Sequence, residues 1–230
     1  MQARYLILRH GETAGNAKRK YIGRTDEPLS SAGAAAVQPL EKLPVLVVVS
    51  PMRRCIQTAA LLLGAGPDED LFRAAGRLGI PVRVEQDLRE CDFGAFENMN
   101  HEELEKDPYY QRWIDSGASL PFPGGESREG FEARCVRAFG AVLADTFSKY
   151  KMKQEPEPCT EQGPEQRAAD SEEPYILVVV HGGTIMSVMS SLADDRNGRR
   201  KEYYDWYVPN GHGFLVQTED GKGLRVLQEV

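Results

Sequence analysis

The sequence has few cysteines, and they lie far apart. Its four cysteines form no Cys-x-x-Cys pair: Cys55, Cys91, Cys135 and Cys159. Metal-binding and disulfide frameworks usually need cysteines in closer or paired spacing. We therefore expect reduced, mostly structural thiols, and no cysteine-based metal site or disulfide framework.

Long apolar runs are missing as well. No apolar stretch in the 230 residues approaches the length that is needed to cross a bilayer. The sequence starts with a strand-like segment and not with a basic and then apolar leader. We expect a soluble, cytoplasmic protein with no membrane partner. The apolar share of 41 % is enough for a substantial core.

The net charge is acidic, and most of it comes from one segment. Residues 154–173 hold seven acids and one arginine, which is -6 of the net charge of -7. The segment is poor in apolar residues, so it cannot bury enough surface to offset the cost of ordering. We expect one domain over 1–230 with a flexible acidic insertion at 151–173. Recruitment of a partner is the alternative role for that insertion.

The first 24 residues are basic, with six Lys and Arg against Glu12 alone. A locally basic segment in a nearly neutral body suits a small anionic ligand. The patch is small and has no interleaved aromatic residues, so it does not indicate nucleic-acid binding. We interpret Lys18, Arg19 and Lys20 as a solvated loop.

Strand and helix patterns alternate along the first part of the chain. Apolar residues 5–8 predict a buried strand, and the Ala-rich stretch 32–42 favours a helix that Pro39 ends early or kinks. The β-branched run 45–49 is typical of a strand covered on both faces. Ser50 and Pro51 predict a helix cap and first helical position. This order predicts a parallel sheet.

The remaining segments extend the same pattern. The long helix predicted from 127 to about 150 has its apolar residues on one face. The other predicted elements are a strand at 80–84, an irregular loop at 88–97 over the site, a helix at 101–110, a buried strand at 175–180, a helix at 185–192, and a hairpin of strands 213–218 and 224–230.

Cationic and titratable side chains follow three of the predicted strands. Arg9 and His10 follow the first, Arg54 lies in the helix after the second, and His181 follows the run 175–180. If these strands are parallel neighbours, their loops open on one edge of the sheet, where ligands bind. Two Arg and two His would form a dianion site there. Gly182 and the helix N-terminus after it add backbone donors.

Catalysis at such a site needs a nucleophile and a proton source. A neutral His can attack phosphorus, and a nearby carboxyl can protonate the leaving oxygen. Glu90 is the main candidate, and either burial or the Arg residues could dominate its pKa. Glu12 and Asp92 are weaker candidates, and Glu97 is better interpreted as a surface or structural acid.

Five aromatic residues have two possible roles: Tyr109, Trp113, Tyr203, Tyr204 and Trp206. They could line a pocket for a ring-bearing leaving group. They could equally be core or interface residues, which is the interpretation that we favour from the sequence.

The order of short motifs resembles the histidine phosphatase superfamily, in its phosphoglycerate-mutase-like branch. Each motif alone is weak, but together they cover nearly the whole chain apart from 151–173. The motifs are Arg9-His10-Gly11-Glu12-Thr13 with Asn16, Gly23 with residues 26–30, Ser50-Pro51-Met52-Arg53-Arg54 continuing to Ala59, Leu88-Arg89-Glu90-Cys91-Asp92-Phe93-Gly94, Pro123-Gly124-Gly125-Glu126-Ser127, and His181-Gly182-Gly183.

The resemblance implies a three-layer α/β/α sandwich with a mostly parallel central sheet. It also implies a phosphohistidine intermediate on His10, with Glu90 as the proton donor and no cofactor or metal. Arg9, Arg54 and His181 would form the phosphate pocket, with Asn16, Gly23 and Gly182 as further binding residues.

Within the superfamily, the stretch after Asp92 is most similar to α-ribazole phosphatases of cobalamin biosynthesis and to broad-specificity phosphatases. Two positions depart from that pattern, because Asn98 stands where these phosphatases usually have Gly and Met186 where many have Arg. The pocket residues are unchanged, so the departures concern the substrate.

The function that we expect is metal-independent hydrolysis of a small phosphorylated metabolite, with α-ribazole 5'-phosphate as one possible substrate. The alternatives are phosphotransfer of the phosphoglycerate mutase type and a phosphate-binding module without catalysis. Either a monomer or a homodimer is compatible with the sequence.

Overall fold

The computed structural model describes residues 2–66, 69–153, 174–195 and 197–230, with the backbone alone at 150–153. The predicted acidic insertion at 151–173 lies outside this description, apart from three positions that continue a helix. Cys159 also lies outside it, and the other three cysteines are buried free thiols.

A seven-stranded sheet forms the centre of the molecule, in the order β3-β2-β4-β1-β6-β7-β5. Strands β1, β2, β3 and β4 run parallel, whereas β6 is antiparallel to both β1 and β7. The mostly parallel sheet and the C-terminal hairpin are therefore confirmed. The strands are β1 (Ala3–Arg9), β2 (Leu46–Val49), β3 (Val82–Val84), β4 (Tyr175–Val180), β5 (Ala193–Asp194), β6 (Gly213–Thr218) and β7 (Leu224–Glu229).

Helices cover both faces of the sheet, which gives the predicted three layers. One face packs against α7 and α8, and the other packs against α3 and α4. The helices are α1 (Ala14–Ala17), α2 (Ser31–Ala36), α3 (Arg53–Leu62), α4 (Leu71–Leu78), α5 (His101–Leu104), α6 (Pro108–Asp115), α7 (Arg128–Lys153) and α8 (Gly182–Leu192).

Strand β4 shows why its sequence is apolar without alternation. Ile176, Val178 and Val180 contribute to the core under α7 and α8, whereas Leu177 and Val179 contribute to the core under α3 and α4. All five are almost fully buried. Burial of each such side chain is worth about 1.5–3 kcal/mol. This strand therefore fixes the position from which His181 leaves the sheet.

The predicted start of α3 is wrong. The helix begins at Arg53, and its first N–H donates to the carboxylate of Asp26 at 2.7 Å. Ser50 does not cap it, because its hydroxyl lies 2.7 Å from Nε2 of His181. Asp26, from a distant loop, therefore caps the helix in place of Ser50, and the Ser50 hydroxyl contacts His181 instead.

Other predicted helices differ in their ends. Helix α2 stops at Ala36, because Val37 turns to an extended conformation ahead of Pro39. The predicted helix 101–110 is two helices, since Asp107 caps a new one whose first residue is Pro108. Helix α8 begins at Gly182, three residues earlier than predicted.

Candidate active site

The three predicted loops open on one edge of the sheet. Strand β4 lies between β1 and β2, with Arg9 paired to Val180 in a parallel register. Arg9 ends β1, and His181 follows β4 directly. The rings of His10 and His181 lie 5.2 Å apart, centroid to centroid, in an edge-to-face arrangement. The sequence argument for convergence at this edge is therefore correct.

The hydrogen bond of His10 fixes which ring nitrogen is free. Its Nδ1 lies 2.7 Å from the carbonyl oxygen of Gly11. A carbonyl can only accept, so Nδ1 carries the proton and Nε2 keeps its lone pair. The imidazole is buried, and burial together with Arg54 and Arg9 lowers its pKa well below the usual value. A neutral imidazole with Nε2 unprotonated is the form that can attack phosphorus.

Helix α3 holds the loop that carries His10. The Gly11 N–H donates to the Thr58 hydroxyl at 2.9 Å, and that hydroxyl donates to the Arg54 carbonyl at 2.7 Å. The His10 loop and Arg54 are therefore tied to the same helical turn. Thr58 lies in the quoted motif, but no separate feature of the sequence indicates this role.

Arg54 is fully buried, and every described partner of its guanidinium is neutral. It donates to the carbonyls of Thr25 at 2.8 Å, Gly23 at 2.9 Å and Ile22 at 3.3 Å, and to Nδ1 of His181 at 3.3 Å. A buried cation without an opposite charge is costly. An oxyanion at this site would supply the missing charge.

His181 has a contact on each ring nitrogen. Since the guanidinium can only donate, Nδ1 accepts from Arg54, so Nε2 carries the proton and donates to the Ser50 hydroxyl. Burial, Arg54 and His10 lower the pKa of His181 well below its usual value. The described contacts make it a neutral ring that orients Arg54.

Arg9 lies beside the start of α8. Its Nη1 donates to the Val208 carbonyl at 2.9 Å, whereas its buried Nε has no hydrogen-bond partner among the described residues. A Cβ on Gly182 would lie 3.4 Å from the Arg9 guanidinium carbon. Glycine at 182 therefore lets the N-terminus of α8 pack closely against the Arg9 guanidinium, whose Nε–H has no acceptor among the described residues.

Glu90 lies at the same helix N-terminus. Its carboxylate accepts the N–H groups of Cys91 at 3.0 Å and Gly183 at 3.1 Å. Burial raises the pKa of Glu90, against the opposing effects of these N–H groups and of the two Arg residues. Of the two effects left open by the sequence, burial dominates, which favours a carboxyl that can hold a proton.

A partly buried ion pair holds the loop that carries Glu90. Arg134 binds both carboxylate oxygens of Glu126 at 2.7 and 2.9 Å, and it donates to the carbonyls of Asp87, Arg89 and Glu90. Sequence reasoning missed Arg134. A charged residue between Phe131 and Cys135 on the apolar face of α7 was the available signal.

Glu97 organises the loop that surrounds Arg54. Its carboxylate accepts the N–H groups of Gly23, Arg24, Thr25 and Phe93 and the hydroxyl of Thr25, at 2.8 to 3.4 Å. Its proposed structural role fits these contacts. The N–H of Gly23 is used here, and a Cβ on Gly23 would lie 1.8 Å from the Cys91 carbonyl oxygen. Close packing is why this position is glycine.

Asn16 joins the back of the His10 loop. Its side-chain oxygen accepts from the N–H of Thr13 at 3.3 Å and from the amide of Asn210 at 3.1 Å, and Asn210 also donates to the His10 carbonyl. Asn210 was not a sequence candidate.

The two weaker acid candidates have other partners. Glu12 accepts from the Ser30 hydroxyl at 3.3 Å. Asp92 accepts the Gly94 N–H at 2.8 Å and lies 3.5 Å from Arg24. Neither acid contacts the N-terminus of α8 beside His181, where Glu90 accepts the Gly183 N–H, so Glu90 stays the better-placed acid.

A pocket of about 360 Å³ opens beside Glu90 and Gly183. Three of the five aromatic candidates, Trp113, Tyr203 and Tyr204, line it, which is not the role that we favoured for them. Trp206 is a core residue packed on Phe214, and Tyr109 bonds the Pro121 carbonyl, so neither is among the lining residues. The other lining residues are Tyr21, Cys91, Phe93, Ala118, Phe122, Arg128, Phe131 and Met186.

The two departures from the family pattern have different consequences. Asn98 has φ +60°, a left-handed conformation that Gly and Asn tolerate best. Asn at this position therefore keeps the left-handed backbone conformation that Gly would also adopt. Met186 lines the pocket and places an apolar side chain where a cation is common. Only the second departure changes what the site contacts.

Two structural features are absent from the residues that the structure describes. In the described part of the chain, no three His, Cys, Asp or Glu side chains converge as a group that could hold a metal ion. None of the described helices is long and apolar enough to span a bilayer.

Comparison with known proteins places this geometry in a family. Residues 5–149 match the model of the histidine phosphatase superfamily, branch 1. A glucosyl-3-phosphoglycerate phosphatase of Mycobacterium tuberculosis is 30 % identical over 200 residues, which cover 84 % of this chain and 76 % of that protein. A 2,3-bisphosphoglycerate-dependent phosphoglycerate mutase of Bifidobacterium longum is 26 % identical over 204 residues, covering 84 % and 78 % of the two chains.

The solved structures agree on the fold. The α-ribazole phosphatase of Shigella flexneri superposes with a TM-score of 0.68 at 22 % identity, over 97 % of this chain and 95 % of that chain. At this identity, the likeness shows the phosphoglycerate-mutase-like fold alone. Together, the family match and the fold identify the chain as a member of the histidine phosphatase superfamily, branch 1. It is a phosphomonoester hydrolase of that family, and its substrate is a phosphorylated small molecule.

Proposed function

We propose that the protein hydrolyses a small phosphomonoester through a phosphohistidine on Nε2 of His10, without a metal ion. The observation that carries this proposal is the hydrogen bond from Nδ1 of His10 to the Gly11 carbonyl, which leaves Nε2 as the free nucleophile. Positive charge for the phosphate oxygens comes from Arg54 and Arg9, so the proposed chemistry has its electrostatic stabilisation within the chain.

The first step forms a bond from Nε2 of His10 to phosphorus and breaks the phosphorus–oxygen ester bond. Protonated Glu90 gives its proton to the leaving oxygen, which departs as the alcohol. Its raised pKa supports this role. His181 holds the guanidinium of Arg54 toward the phosphoryl oxygens through the contact at 3.3 Å.

The second step returns the enzyme to its starting form. The Glu90 carboxylate takes a proton from water as the water oxygen attacks phosphorus, and the phosphorus–Nε2 bond breaks. The products are inorganic phosphate and the neutral imidazole of His10. One carboxyl thus acts first as an acid and then as a base.

The experiment measures hydrolysis of 4-nitrophenyl phosphate in the presence of a chelator. Wild-type protein is expected to turn over and to form an acid-labile phosphoprotein after rapid mixing. The variant His10→Ala is expected to do neither, whereas His212→Ala, which changes an exposed imidazole, is expected to retain both. Retained turnover in His10→Ala would reject the mechanism, and turnover that is lost in the chelator would reject the metal-independent part.

The particular substrate that we propose is α-ribazole 5'-phosphate, in a role related to cobalamin biosynthesis. Two observations support it: the aromatic pocket beside Glu90, which suits a ring-bearing leaving group, and the shared fold of the Shigella flexneri enzyme. Comparison of kcat/KM for this ester and for glucosyl-3-phosphoglycerate tests the choice. A higher value for the second ester would reassign the substrate.

Mutase-type phosphotransfer is the second candidate, because a relative of similar coverage is named as a mutase. Interconversion of 3- and 2-phosphoglycerate faster than their hydrolysis would favour it. A phosphate-binding module without catalysis would show neither reaction and would form no phosphoprotein.

A further inference from the structure

The pocket beside Glu90 continues the proposed phosphate site. Glu90 and Gly183 line it, and Gly183 donates to the same Glu90 carboxylate. In the proposed mechanism, Glu90 protonates the leaving oxygen. The leaving group of a bound ester must therefore extend into this pocket, so the inference below rests on the proposed function.

Aromatic and apolar side chains form most of the pocket wall. The rings pack on one another, with Phe93 and Phe122 5.0 Å apart and Trp113 and Phe122 5.2 Å apart. Met186 and Phe131 complete the apolar part. A wall of mutually packed rings removes water from a ligand and offers few hydrogen bonds in exchange.

The described lining residues include a single cation, Arg128, and its charge is already matched. Its Nε donates to the Glu132 carboxylate at 2.6 Å. Its guanidinium carbon also lies 4.1 Å from the centre of the Tyr203 ring and 5.3 Å from that of Tyr204. The ion pair and the two rings hold this cation in place.

Glu90 is the lining residue whose charge changes in the proposed mechanism. It is neutral while the ester binds and becomes a carboxylate as it protonates the leaving oxygen, and that carboxylate would repel an anionic leaving group. An anionic group in the pocket would lose its hydration and would lie near Glu90. Arg128 would not compensate its charge, because Arg128 is already paired with Glu132. Burial of a charge without a partner is strongly unfavourable.

We infer that this pocket selects esters with an uncharged, ring-bearing leaving group and discriminates against leaving groups that carry a carboxylate. The Arg128–Glu132 pair and Met186 are the residues that set this preference. The inference separates this chain from its relatives named for phosphoglycerate substrates, whose leaving groups carry a carboxylate.

The test compares two aryl esters of nearly equal size, 4-carbamoylphenyl phosphate and 4-carboxyphenyl phosphate. They differ in one negative charge at the far end of the ring. We expect kcat/KM of the wild-type protein to be at least about tenfold higher for the carbamoyl ester, as for one unpaired charge worth about 1.4 kcal/mol. Equal values for the two esters would overturn the inference and leave the proposed function intact. Failure to hydrolyse either ester would overturn both.

Two variants test the residues that are held responsible. Glu132→Gln frees Arg128 for a ligand, and Met186→Arg adds a cation to the wall, so each is expected to lower the preference at least threefold. Glu129→Gln makes the same charge change at an exposed position of the same helix and is expected to leave the preference unchanged.

The preference is a ratio measured on one preparation, so partial unfolding of a variant cancels from it. An unchanged ratio in both Glu132→Gln and Met186→Arg would overturn the assignment to these residues.

Discussion

At the scale of single residues, the site combines two neutral imidazoles with a carboxyl that resists ionisation. His10 and His181 are buried beside Arg54, which lowers the pKa of each ring. Burial acts in the opposite direction on Glu90 and raises its pKa. These shifts favour an unprotonated His10, the proposed nucleophile, and a protonated Glu90, the proposed proton donor, at the same pH.

The pH dependence of kcat/KM tests this arrangement. On the acid side, activity falls only when His10 gains a proton, so the limb lies well below pH 6.5. On the alkaline side, activity falls as pH rises through the raised pKa of Glu90. We expect a bell-shaped profile for an aryl phosphate, after correction for the second ionisation of the phosphate near pH 6.

The variant Glu90→Gln serves as the control for that profile. It removes the titrating group, so the alkaline limb is expected to disappear, with a loss of about 10²–10⁴-fold in rate. An acid limb at or above pH 6.5 in the wild-type protein would contradict the lowered pKa of His10.

Asn98 gives a second prediction at this scale. Its φ of +60° is costly for a side chain that branches at Cβ or cannot bond locally. Asn98→Ala is expected to lower the free energy of unfolding by about 1 kcal/mol, and Asn98→Gly to lower it less. Urea denaturation of the three proteins gives the order, and a more stable Ala than Gly variant would be inconsistent with this backbone conformation.

At the scale of elements, the loop of residues 22–25 links Glu97, a structural acid, to the proposed phosphate site. Glu97 holds the N–H groups of this loop, and the carbonyls of Ile22, Gly23 and Thr25 hold Arg54. A positioning role for Glu97 follows, since its carboxylate touches neither imidazole in the described contacts.

The variant Glu97→Gln tests that role. An amide places N–H groups against backbone N–H donors, so the loop must shift and Arg54 moves with it. We expect kcat/KM to fall by about 10²-fold, the effect of a displacement near 1 Å in a catalytic group. Inhibition by inorganic phosphate should weaken in parallel.

Glu102→Gln is the matched control, because it changes an exposed acid in the first turn of α5. It is expected to keep both the activity and the inhibition constant of phosphate. If Glu97→Gln retained wild-type inhibition by phosphate, the link between Glu97 and Arg54 would not hold.

The sequence predicted most of the sheet and the set of side chains at its edge, for reasons that are local. Runs such as 175–180 are apolar at every position, which is typical of a short strand covered on both faces. Parallel order then places His10, Arg54 and His181 together. Helix ends were less predictable, because Asp26, a residue distant in the chain, caps α3 in place of Ser50.

The supports of the site could not be predicted for a similar reason. The contacts of Arg134 with Glu126 and of Asn210 with Asn16 join segments whose distance depends on the whole fold. The aromatic pocket depends on the packing of α6 against the loop after Glu90, which no periodicity reveals.

At the scale of the whole molecule, the buried imidazoles affect the stability of the fold. Both have a pKa well below 6.5 in the folded protein, so only the unfolded chain takes up their protons as pH falls through 6.5. The free energy of unfolding should therefore decrease below pH 6.5, by up to about 2.7 kcal/mol per pH unit for two protons.

Glu90 opposes this trend over part of the range. Its raised pKa stabilises the folded protein at low pH, and that contribution is lost as pH rises through the folded value. Urea denaturation between pH 7 and 5 gives the slope of the free energy of unfolding against pH. His181→Gln removes one of the two titrating groups, so it should reduce this slope by about 1.4 kcal/mol per pH unit. A slope that stays the same in the variant would contradict a buried neutral His181.

The neutral surroundings of Arg54 have a practical consequence at the bench. In the proposed function a tetrahedral oxyanion binds there, and only in the folded chain, so millimolar sulfate, phosphate or vanadate should raise the melting temperature and slow turnover together, by mass action. Oxyanions in purification and storage buffers are therefore expected to act as inhibitors, so rates measured in phosphate-buffered saline should be lower than those measured in a zwitterionic buffer.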